Sequence, residues 1–310
     1  MTTLIYTHTA CFDHIPGPHH PESPERLQAV LQALKAPEFA DVRWRDAPMG
    51  TFEQVRLIHT PQYVERVESL SPQDGFRALD AGDTIMSPGT LEAVMRCVGA
   101  ACAGVDAVLA NQADNVFCAT RPCGHHAEAD RAMGFCVFNQ AAIAALHARQ
   151  RHGVKRVAVV DFDVHHGNGT QNAFFDEPDL FYGSCHQSPF FPGTGARQET
   201  GAANNIVNIP LAPGCSSARF RSAMTDEMLP AVRRFAPDLL IISAGFDAHH
   251  LDPLGGLRFT DDDYHWITRE LMQVAAETAQ RRVVSILEGG YSLEGLASGT
   301  AAHVRALMGN

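Results

Sequence analysis

The sequence predicts an α/β protein with one wound, mainly parallel β-sheet flanked by helices. Short runs of Val, Ile and Leu, typical of strands buried on both faces of a parallel sheet, alternate along the chain with longer stretches of helical pattern. No low-complexity segment, charge block or internal repeat marks a domain boundary. Because 310 residues also lie within the range of one α/β domain, we expect a single domain over 1–310.

Seven strands and five helices are predicted in chain order. The strands are 4–6, 115–119, 157–162, 180–183, 206–210, 239–243 and 283–287. The helices are 24–34, 88–109, 141–151, 218–235 and 261–281. Ser23 and Pro24 are a typical N-cap and first-turn pair, and Thr260 with Asp263 is a weaker relative of the capping box.

Composition and charge exclude two classes of partner. The chain has 24 Lys and Arg against 35 Asp and Glu, a formal net charge of −11, so direct nucleic-acid binding is not expected. No apolar run approaches the roughly 20 residues of a membrane span, and the N-terminus does not resemble a secretory signal. We therefore expect a cytoplasmic protein without membrane contact, whose eight cysteines are free thiols.

Polar, chemically reactive residues follow four of the predicted strands. These segments are 124–126 (GHH), 161–169 (DFDVHHGNG), 245–247 (GFD) and 288–291 (EGGY). In parallel α/β sheets, ligands bind just beyond the carboxyl ends of the strands. Four such segments indicate one active site at that edge of the sheet.

One of these segments has the pattern of a metal site. Asp161, Asp163 and His165 alternate along an extended stretch, so their side chains share a face and need a cation to neutralise them. Three protein ligands with one open position are typical of catalytic zinc, and the mixed oxygen and nitrogen set also admits Fe²⁺. Spacing does not decide which two of the three bind the metal. Asp247, after another apolar strand, is the best candidate to complete the set.

The adjacent His125 and His126 follow a strand, which favours a catalytic role over surface decoration. A neutral imidazole there would take a proton from water and return it to a leaving amine. Tyr291 follows two glycines, which let the backbone approach closely, and its phenol would donate to a developing oxyanion. The histidine pairs at 19–20 and 249–250 are expected on the surface.

Several motifs along the chain form a recognisable set. They lie at 20–26 (HPESPER), 58–63 (IHTPQY), 87–90 (SPGT), 121–127 (RPCGHHA), 134–136 (GFC), 163–171 (DVHHGNGTQ), 191–195 (FPGTG), 252–256 (DPLGG) and 288–291 (EGGY). Together they resemble the zinc-dependent histone deacetylase family, which includes bacterial histone deacetylase-like amidohydrolases and acetylpolyamine amidohydrolases. The motif around Asn168 is similar to that of the class II branch, in which an asparagine stands in place of the class I aspartate. The resemblance implies a single-domain arginase/deacetylase fold.

The resemblance also implies roles for the catalytic residues. His126, faced by Asn168, is expected to act as general base and acid, while His125, oriented by Asp161, assists electrostatically. Tyr291 is expected to polarise the scissile carbonyl and hold the oxyanion. The expected zinc ligands are Asp163, His165 and Asp247. A structural K⁺ is expected beside the zinc, on the carbonyls of Asp161, Asp163, His165 and Cys185 and the hydroxyl of Ser184.

A narrow tunnel for the alkyl stem of an acyl-lysine is implied as well. Phe135 and Phe191 would form its walls, Gly134 would leave room for the amide, and Asp83 would lie at its mouth. Arg26 matches an arginine that lines an internal exit cavity for acetate. The tunnel set is Gly134, Phe135, Phe191, Leu254 and Asp83.

The implied function is removal of acetyl, or a related acyl group, from lysine side chains of peptides or proteins by metal-activated water. The alternative is deacetylation of small acetylated amines such as acetylpolyamines, which Leu254 disfavours because it replaces the gatekeeper glutamate of the polyamine-specific eukaryotic branch. An arginase-like binuclear hydrolase would need carboxylates where Val164 and His166 stand. An inactive acyl-binding module is disfavoured because no ligand is missing. Cys123 replaces a proline of the family motif and brings a thiol near the site.

Overall fold

Ten β-strands form one large sheet and one short ribbon in the computed structural model, which describes residues 1–310. The strands are β1 (Thr3–Thr7), β2 (Arg43–Asp46), β3 (Arg77–Ala78), β4 (Ile85–Met86), β5 (Asn115–Cys118), β6 (Val157–Asp161), β7 (Leu180–Gln187), β8 (Ile206–Leu211), β9 (Leu239–Ala244) and β10 (Val283–Leu287). Eight of them form a parallel sheet in the order β2-β1-β5-β10-β9-β6-β7-β8, and β3 pairs antiparallel with β4.

Ten α-helices surround the sheet. They are α1 (Pro24–Ala33), α2 (Phe52–Val55), α3 (Pro61–Leu70), α4 (Thr90–Leu109), α5 (Gln140–His152), α6 (Asn168–Phe174), α7 (Ser217–Ala223), α8 (Leu229–Phe235), α9 (Asp261–Thr278) and α10 (Leu293–Met308). None is long and apolar enough to cross a membrane.

The predicted α/β architecture is confirmed, because each of the seven predicted strands is present in the parallel sheet. The strand predicted at 180–183 continues to Gln187. The edge strand β2 was missed, since its sequence, RWRD, is exposed throughout and carries no apolar run. Because the β2 side chains lie in solvent on both faces, this strand has no need of apolar residues and its sequence lacks the usual pattern.

The helix predictions need more correction than the strands. The stretch 218–235 is helical throughout, as predicted, but a π-helical turn at Met224–Met228 lies inside it, between α7 and α8. Pro230 lies just after this turn and has no N–H to donate to it, which favours the local change in hydrogen bonding. The helices α2, α3, α6 and α10 were not predicted. In α10, glycine and alanine supply much of the buried face, so large apolar residues do not mark its period.

The sheet is covered on both faces, as its apolar strands require. In β6, Val157 and Val159 pack into a cluster with α4 and α5, whereas Ala158 and Val160 pack into a larger cluster with α1, α9 and α10. Successive side chains of a strand point to opposite faces. The helices therefore protect the sheet on both sides and leave its carboxyl edge to form the site.

The four strands that precede the reactive segments are direct neighbours in the sheet. Their order is β5-β10-β9-β6, although the chain visits them as β5, β6, β9 and β10. Parallel pairing places all four carboxyl ends at one edge. The predicted convergence of these segments is confirmed.

A buried ion cluster ties the N-terminal segment to this edge. Glu22 is fully buried and accepts from Arg121 Nε at 2.7 Å and from Arg26 Nη1 at 2.9 Å. Burial alone would raise the pKa of the Glu22 carboxyl, but Arg121 and His14 outweigh it and hold that pKa well below its usual range. Arg121 also donates to the carbonyls of Cys11 and His14.

We expect Glu22→Gln to lower the free energy of unfolding by about 3–5 kcal/mol, because it leaves buried guanidinium groups without a counter-charge. Urea denaturation of the purified chain measures this loss. The matched control is Glu38→Gln, which breaks the exposed pair with Arg305 and should cost below about 1 kcal/mol. Equal small losses in both variants would contradict a structural role for the cluster.

Candidate active site

Asp163, His165 and Asp247 meet at the carboxyl edge, between β6 and β9. His165 Nδ1 lies 3.0 Å from Asp163 Oδ1 and 3.3 Å from Asp247 Oδ2. Both carboxylates are fully buried, and each has histidines as its only ion-pair partners. The structure thus brings together the three residues expected to bind zinc.

The donor set and its surroundings fit a divalent cation. Asp247 Oδ1 accepts from Val164 N at 2.8 Å, but Asp247 Oδ2 is buried without any hydrogen-bond partner. A buried carboxylate oxygen without a partner is costly unless a cation neutralises it. Gly245 and Gly289 keep the space open, since a Cβ at Gly289 would lie 2.0 Å from Asp247 Oδ2. Two carboxylate oxygens and one imidazole nitrogen suit Zn²⁺.

The spacing argument left open which members of the 161–165 triplet bind metal. The structure separates Asp161 from the other two, because its Oδ2 faces His125 Nδ1 at 3.0 Å and accepts from the Tyr182 hydroxyl at 3.0 Å. Asp161 Oδ1 accepts from Asp163 N. Both oxygens of the Asp161 carboxylate therefore already have partners, one of which is His125.

Electrostatics at the metal group reflect two acids at close range. Burial, followed by the neighbouring Asp163, raises the pKa of Asp247 to about 7. Burial alone would lower the pKa of His165, but Asp163 and Asp247 outweigh it and raise that pKa to about 10. The two carboxylates therefore favour the protonated, positively charged form of His165.

His125 and His126 form a buried pair with different partners. His125 Nδ1 lies 3.0 Å from Asp161 Oδ2, whereas His126 Nδ1 lies 2.9 Å from Asn168 Oδ1. The two ring centroids are 4.0 Å apart, and the His126 ring is 5.8 Å from that of His165. Both imidazoles therefore lie beside the candidate metal group, each held by one side chain.

The two partners separate the proton affinities of the pair. Burial, with His125 and His165, lowers the pKa of His126 well below the usual range. Burial acts in the same direction on His125, but Asp163 and Asp161 outweigh it and raise its pKa well above normal. His126 is thus the neutral imidazole of the two, available to accept a proton.

Two phenylalanine rings lie close to His126 and Tyr291. The ring centroid of Phe191 is 5.1 Å from that of His126, and the Phe135 centroid is 5.9 Å from that of Tyr291. Between the two phenylalanines, a Cβ at Gly134 would lie 2.5 Å from His126 Cδ2 and 3.0 Å from Phe191 Cε1. A side chain at position 134 would therefore collide with the His126 ring and crowd Phe191.

Tyr291 is half-buried beside Phe135, and its backbone is fixed by Asp252. The Asp252 Oδ2 atom accepts from Tyr291 N at 2.6 Å and from Ser292 N at 3.0 Å, while Oδ1 accepts from Leu254 N at 2.9 Å. The Arg26 guanidinium lies 4.9 Å from the Tyr291 ring centroid. Burial and the neighbouring Cys123 raise the pKa of Tyr291 well above normal, so the phenol keeps its proton.

The outer residues predicted for the tunnel lie near Tyr291 and Phe135. Leu254 is 37% exposed, and Asp83 is exposed on the segment after β3. Burial of its carboxyl and the neighbouring Asp80 raise the pKa of Asp83 to about 6. His20 Nε2 contacts the Asp83 carbonyl at 3.1 Å, and the His20 ring packs edge-on against Phe135 at 4.7 Å.

The expectation that the histidine pairs lie on the surface is wrong for His249 and confirmed for His250, which is exposed. His249 is only 2% exposed, stacks against Tyr264 with an interplanar angle of 14° and lies 3.3 Å from Asp261 through Nε2. The β9–α9 loop folds back over α10 and buries His249, which the local sequence does not reveal. His19, by contrast, is exposed as expected.

The residues expected to hold potassium are close to one another. Ser184 pairs with Asp161 in the β6–β7 ladder, and Cys185 follows it, fully buried. The Ser184 hydroxyl lies 2.8 Å from His186 Nδ1. Adjacency of these backbones supports a shared cation site, which stays a prediction.

The predicted site residues are positioned by three side chains to which the sequence assigned no role: Glu288, Glu128 and Tyr182. Glu288 Oε2 accepts from Gly124 N at 2.7 Å and from His125 N at 3.2 Å, which fixes the loop that carries both histidines. Glu128 Oε1 accepts from Asn168 Nδ2 at 2.6 Å. Glu288 lies in EGGY, a motif already singled out, whereas Glu128 and Tyr182 give no local signal.

Comparison with known proteins agrees with this geometry. The histone deacetylase domain family matches residues 20–307. The chain belongs to the histone deacetylase family. This membership supports hydrolysis of an acyl–nitrogen bond as its class of activity, and it confirms the expected resemblance.

Two relatives and one solved structure illustrate the similarity. A histone deacetylase-like amidohydrolase of Pseudomonas aeruginosa is 37% identical, over 94% of this chain and 82% of that protein. Histone deacetylase 10, chloroplastic, of Oryza sativa is also 37% identical, over 94% and 70%. A crystal structure of the HDA15 HD domain superposes with a TM-score of 0.94 at 33% identity and covers 100% of this chain and 88% of that one.

These comparisons confirm the arginase/deacetylase fold of this histone deacetylase family member. One catalytic domain over 1–310 stays a prediction. A cytoplasmic location also stays one, because the rice relative is named chloroplastic.

We expect Asp252→Asn to lower kcat about 10- to 100-fold with a smaller change in KM. An amide has one accepting oxygen, so it cannot hold both the Tyr291 and Leu254 backbones as the carboxylate does. Steady-state deacetylation of an acetyl-lysine peptide measures the effect. The control is Asp262→Asn on the exposed first turn of α9, and an unchanged kcat in Asp252→Asn would exclude this positioning role.

Proposed function

We propose that this histone deacetylase family member is a zinc-dependent amidohydrolase that removes acetyl, or a related acyl group, from lysine side chains. One observation carries the proposal: Asp247 Oδ2, which accepts no hydrogen bond, lies in a group of two carboxylates and an imidazole, beside a buried histidine pair that Phe191 contacts. A metal bound there, the proton acceptor and the substrate would thus share one edge of the sheet.

Asp163, His165 and Asp247 would hold the zinc, with Fe²⁺ as the alternative metal. The bound cation supplies Lewis acidity toward the substrate carbonyl and lowers the pKa of water. We assign the structural K⁺ to the carbonyls of Asp161, Asp163, His165 and Cys185 and to the Ser184 hydroxyl.

The histidines divide the proton transfers between them. His126, held by the neutral Asn168, accepts the proton of the attacking water on Nε2 and later donates it to the leaving amine. His125, held by the Asp161 carboxylate, keeps a positive potential beside the reacting carbonyl. The Tyr291 hydroxyl donates to the oxyanion, in a position fixed by Asp252.

The predicted tunnel selects the shape of the substrate. Phe135 and Phe191 leave room for a narrow, unbranched alkyl stem, and Gly134 lets its amide pass His126. Arg26 is buried beside the Tyr291 ring and would line the exit route for the released acid. The binuclear alternative is disfavoured, because His166 is bonded to Thr194 and Gln171.

Hydrolysis of a substrate panel tests the proposed substrate class. We expect kcat/KM for acetyl-lysine peptides to exceed that for acetylated polyamines, because Leu254 offers no charge to a polyamine. Acyl groups of increasing length on the same peptide then define the depth of the tunnel. A clear preference for acetylated polyamines would replace this substrate assignment, and binding of acyl-lysine without turnover would indicate an inactive module.

We expect Asp247→Ala to abolish the zinc that the protein retains through gel filtration, because two remaining ligands bind zinc weakly. Metal analysis of the folded variant measures this, with circular dichroism as the check on folding. Asp262→Ala, an exposed carboxylate, is the control. Retention of one tightly bound zinc by Asp247→Ala would show that the ligand set is wrong.

We expect Tyr291→Phe to keep its zinc and to lose about 10²- to 10³-fold in kcat, as for removal of one oxyanion donor. The phenyl ring preserves the contacts with Phe135 and Arg26, so binding should change little. Turnover and metal content are measured on the same preparation. A fully active phenylalanine variant would remove Tyr291 from the mechanism.

A further inference from the structure

A second group of potential metal ligands lies between α4 and α5. Asp106 Oδ1 is 2.8 Å from His147 Nε2 and 2.6 Å from His152 Nε2. The three ligand atoms lie within 4.8 Å of one another. No part of the candidate active site uses these residues.

Two helices hold the three side chains in position. Asp106 is on the last turn of α4, while His147 is within α5 and His152 is its last residue. The His147 side chain is 10% exposed and that of Asp106 is 51% exposed, so the group is anchored on one side and open to solvent on the other. A ligand arriving from solvent would meet an ordered set of donors.

The chemistry of this group suits a metal ion better than an ordinary ion pair. Both ion-pair contacts of Asp106 are with histidines, and no Lys or Arg pairs with it. Two imidazoles beside one carboxylate match Zn²⁺, Ni²⁺ or Cu²⁺, whereas Mg²⁺ and Ca²⁺ require mostly oxygen ligands.

We propose that Asp106, His147 and His152 form a second metal site, which binds a late first-row transition dication such as Zn²⁺ on the outer surface of α4 and α5. Asp106 Oδ1 and the two Nε2 atoms are the protein ligands, and water completes the coordination. The site is structural, because no reactive group of the active site contacts it.

Such a site would brace the helix that supports the catalytic histidines. At the N-terminus of α5, Asn139 Nδ2 donates to the carbonyls of His125 and Ala127 at 3.4 and 3.3 Å. His147 lies about 12 Å further along the same helix. A cation that joins α4 to α5 there would stabilise the fold without entering the reaction.

Zinc binding by the full-length, metal-stripped protein tests the proposal. In equilibrium dialysis against free Zn²⁺, we expect the unmodified chain to take up about two ions and His152→Gln about one. His265→Gln, a partly exposed histidine on α9, is the control and should still take up about two. Uptake of the same number of ions by the unmodified chain and by His152→Gln would overturn the site, whatever the occupancy of the active site.

A second comparison separates this site from the active site. Asp247→Ala should still take up about one ion under the same conditions, and Asp247→Ala combined with His152→Gln should take up none. Added Zn²⁺ should also raise the unfolding temperature of the unmodified protein further than that of His152→Gln. An equal shift in both proteins would show that these residues form only an ion pair.

Discussion

Two carboxylates buried side by side constrain the whole carboxyl edge of the sheet. Asp163 and Asp247 are fully buried, and their only charged partners are histidines. The backbone N–H of Gly289 donates to one oxygen of Asp163, and that of Val164 donates to one oxygen of Asp247. Because the donors come from the segments after β10 and β6, these strands must lie on either side of β9. Glycine at 245 and 289 follows from the same crowding, since any Cβ would collide with a carboxylate oxygen.

The neighbouring acidic residues share one type of contact. In each case a carboxylate accepts hydrogen bonds from the backbone N–H groups of a loop that carries a reactive side chain. Glu288 does this for the loop of His125, and Asp252 does it for Tyr291. Each bond joins segments far apart in sequence. The positions of His125 and Tyr291 therefore depend on carboxylates that have no proposed part in the reaction itself. The buried ion pair between Glu22 and Arg121 holds the N-terminal segment to the same edge of the sheet.

Sequence patterns predict the interior of the sheet because a strand buried on both faces must be apolar throughout. They fail where burial comes from elsewhere. The edge strand β2 has no buried face, α10 buries small residues, and His249 is covered by a loop that returns over α10. For the site, alternation along 161–165 predicted a shared face of metal ligands, but it gave the same weight to Asp161 as to Asp163, which the structure places in different contacts.

The sequence by itself determined seven of the eight strands of the large sheet, the reactive segment after each of four of them and the donor types suited to zinc, because these depend on local periodicity and on side-chain chemistry. Only the tertiary structure decided that β5, β10, β9 and β6 are neighbours, that Asp161 faces His125, and that Asp106 faces two histidines. These outcomes depend on strand order and helix packing. Both are set by contacts between residues distant in the chain, which no local pattern encodes.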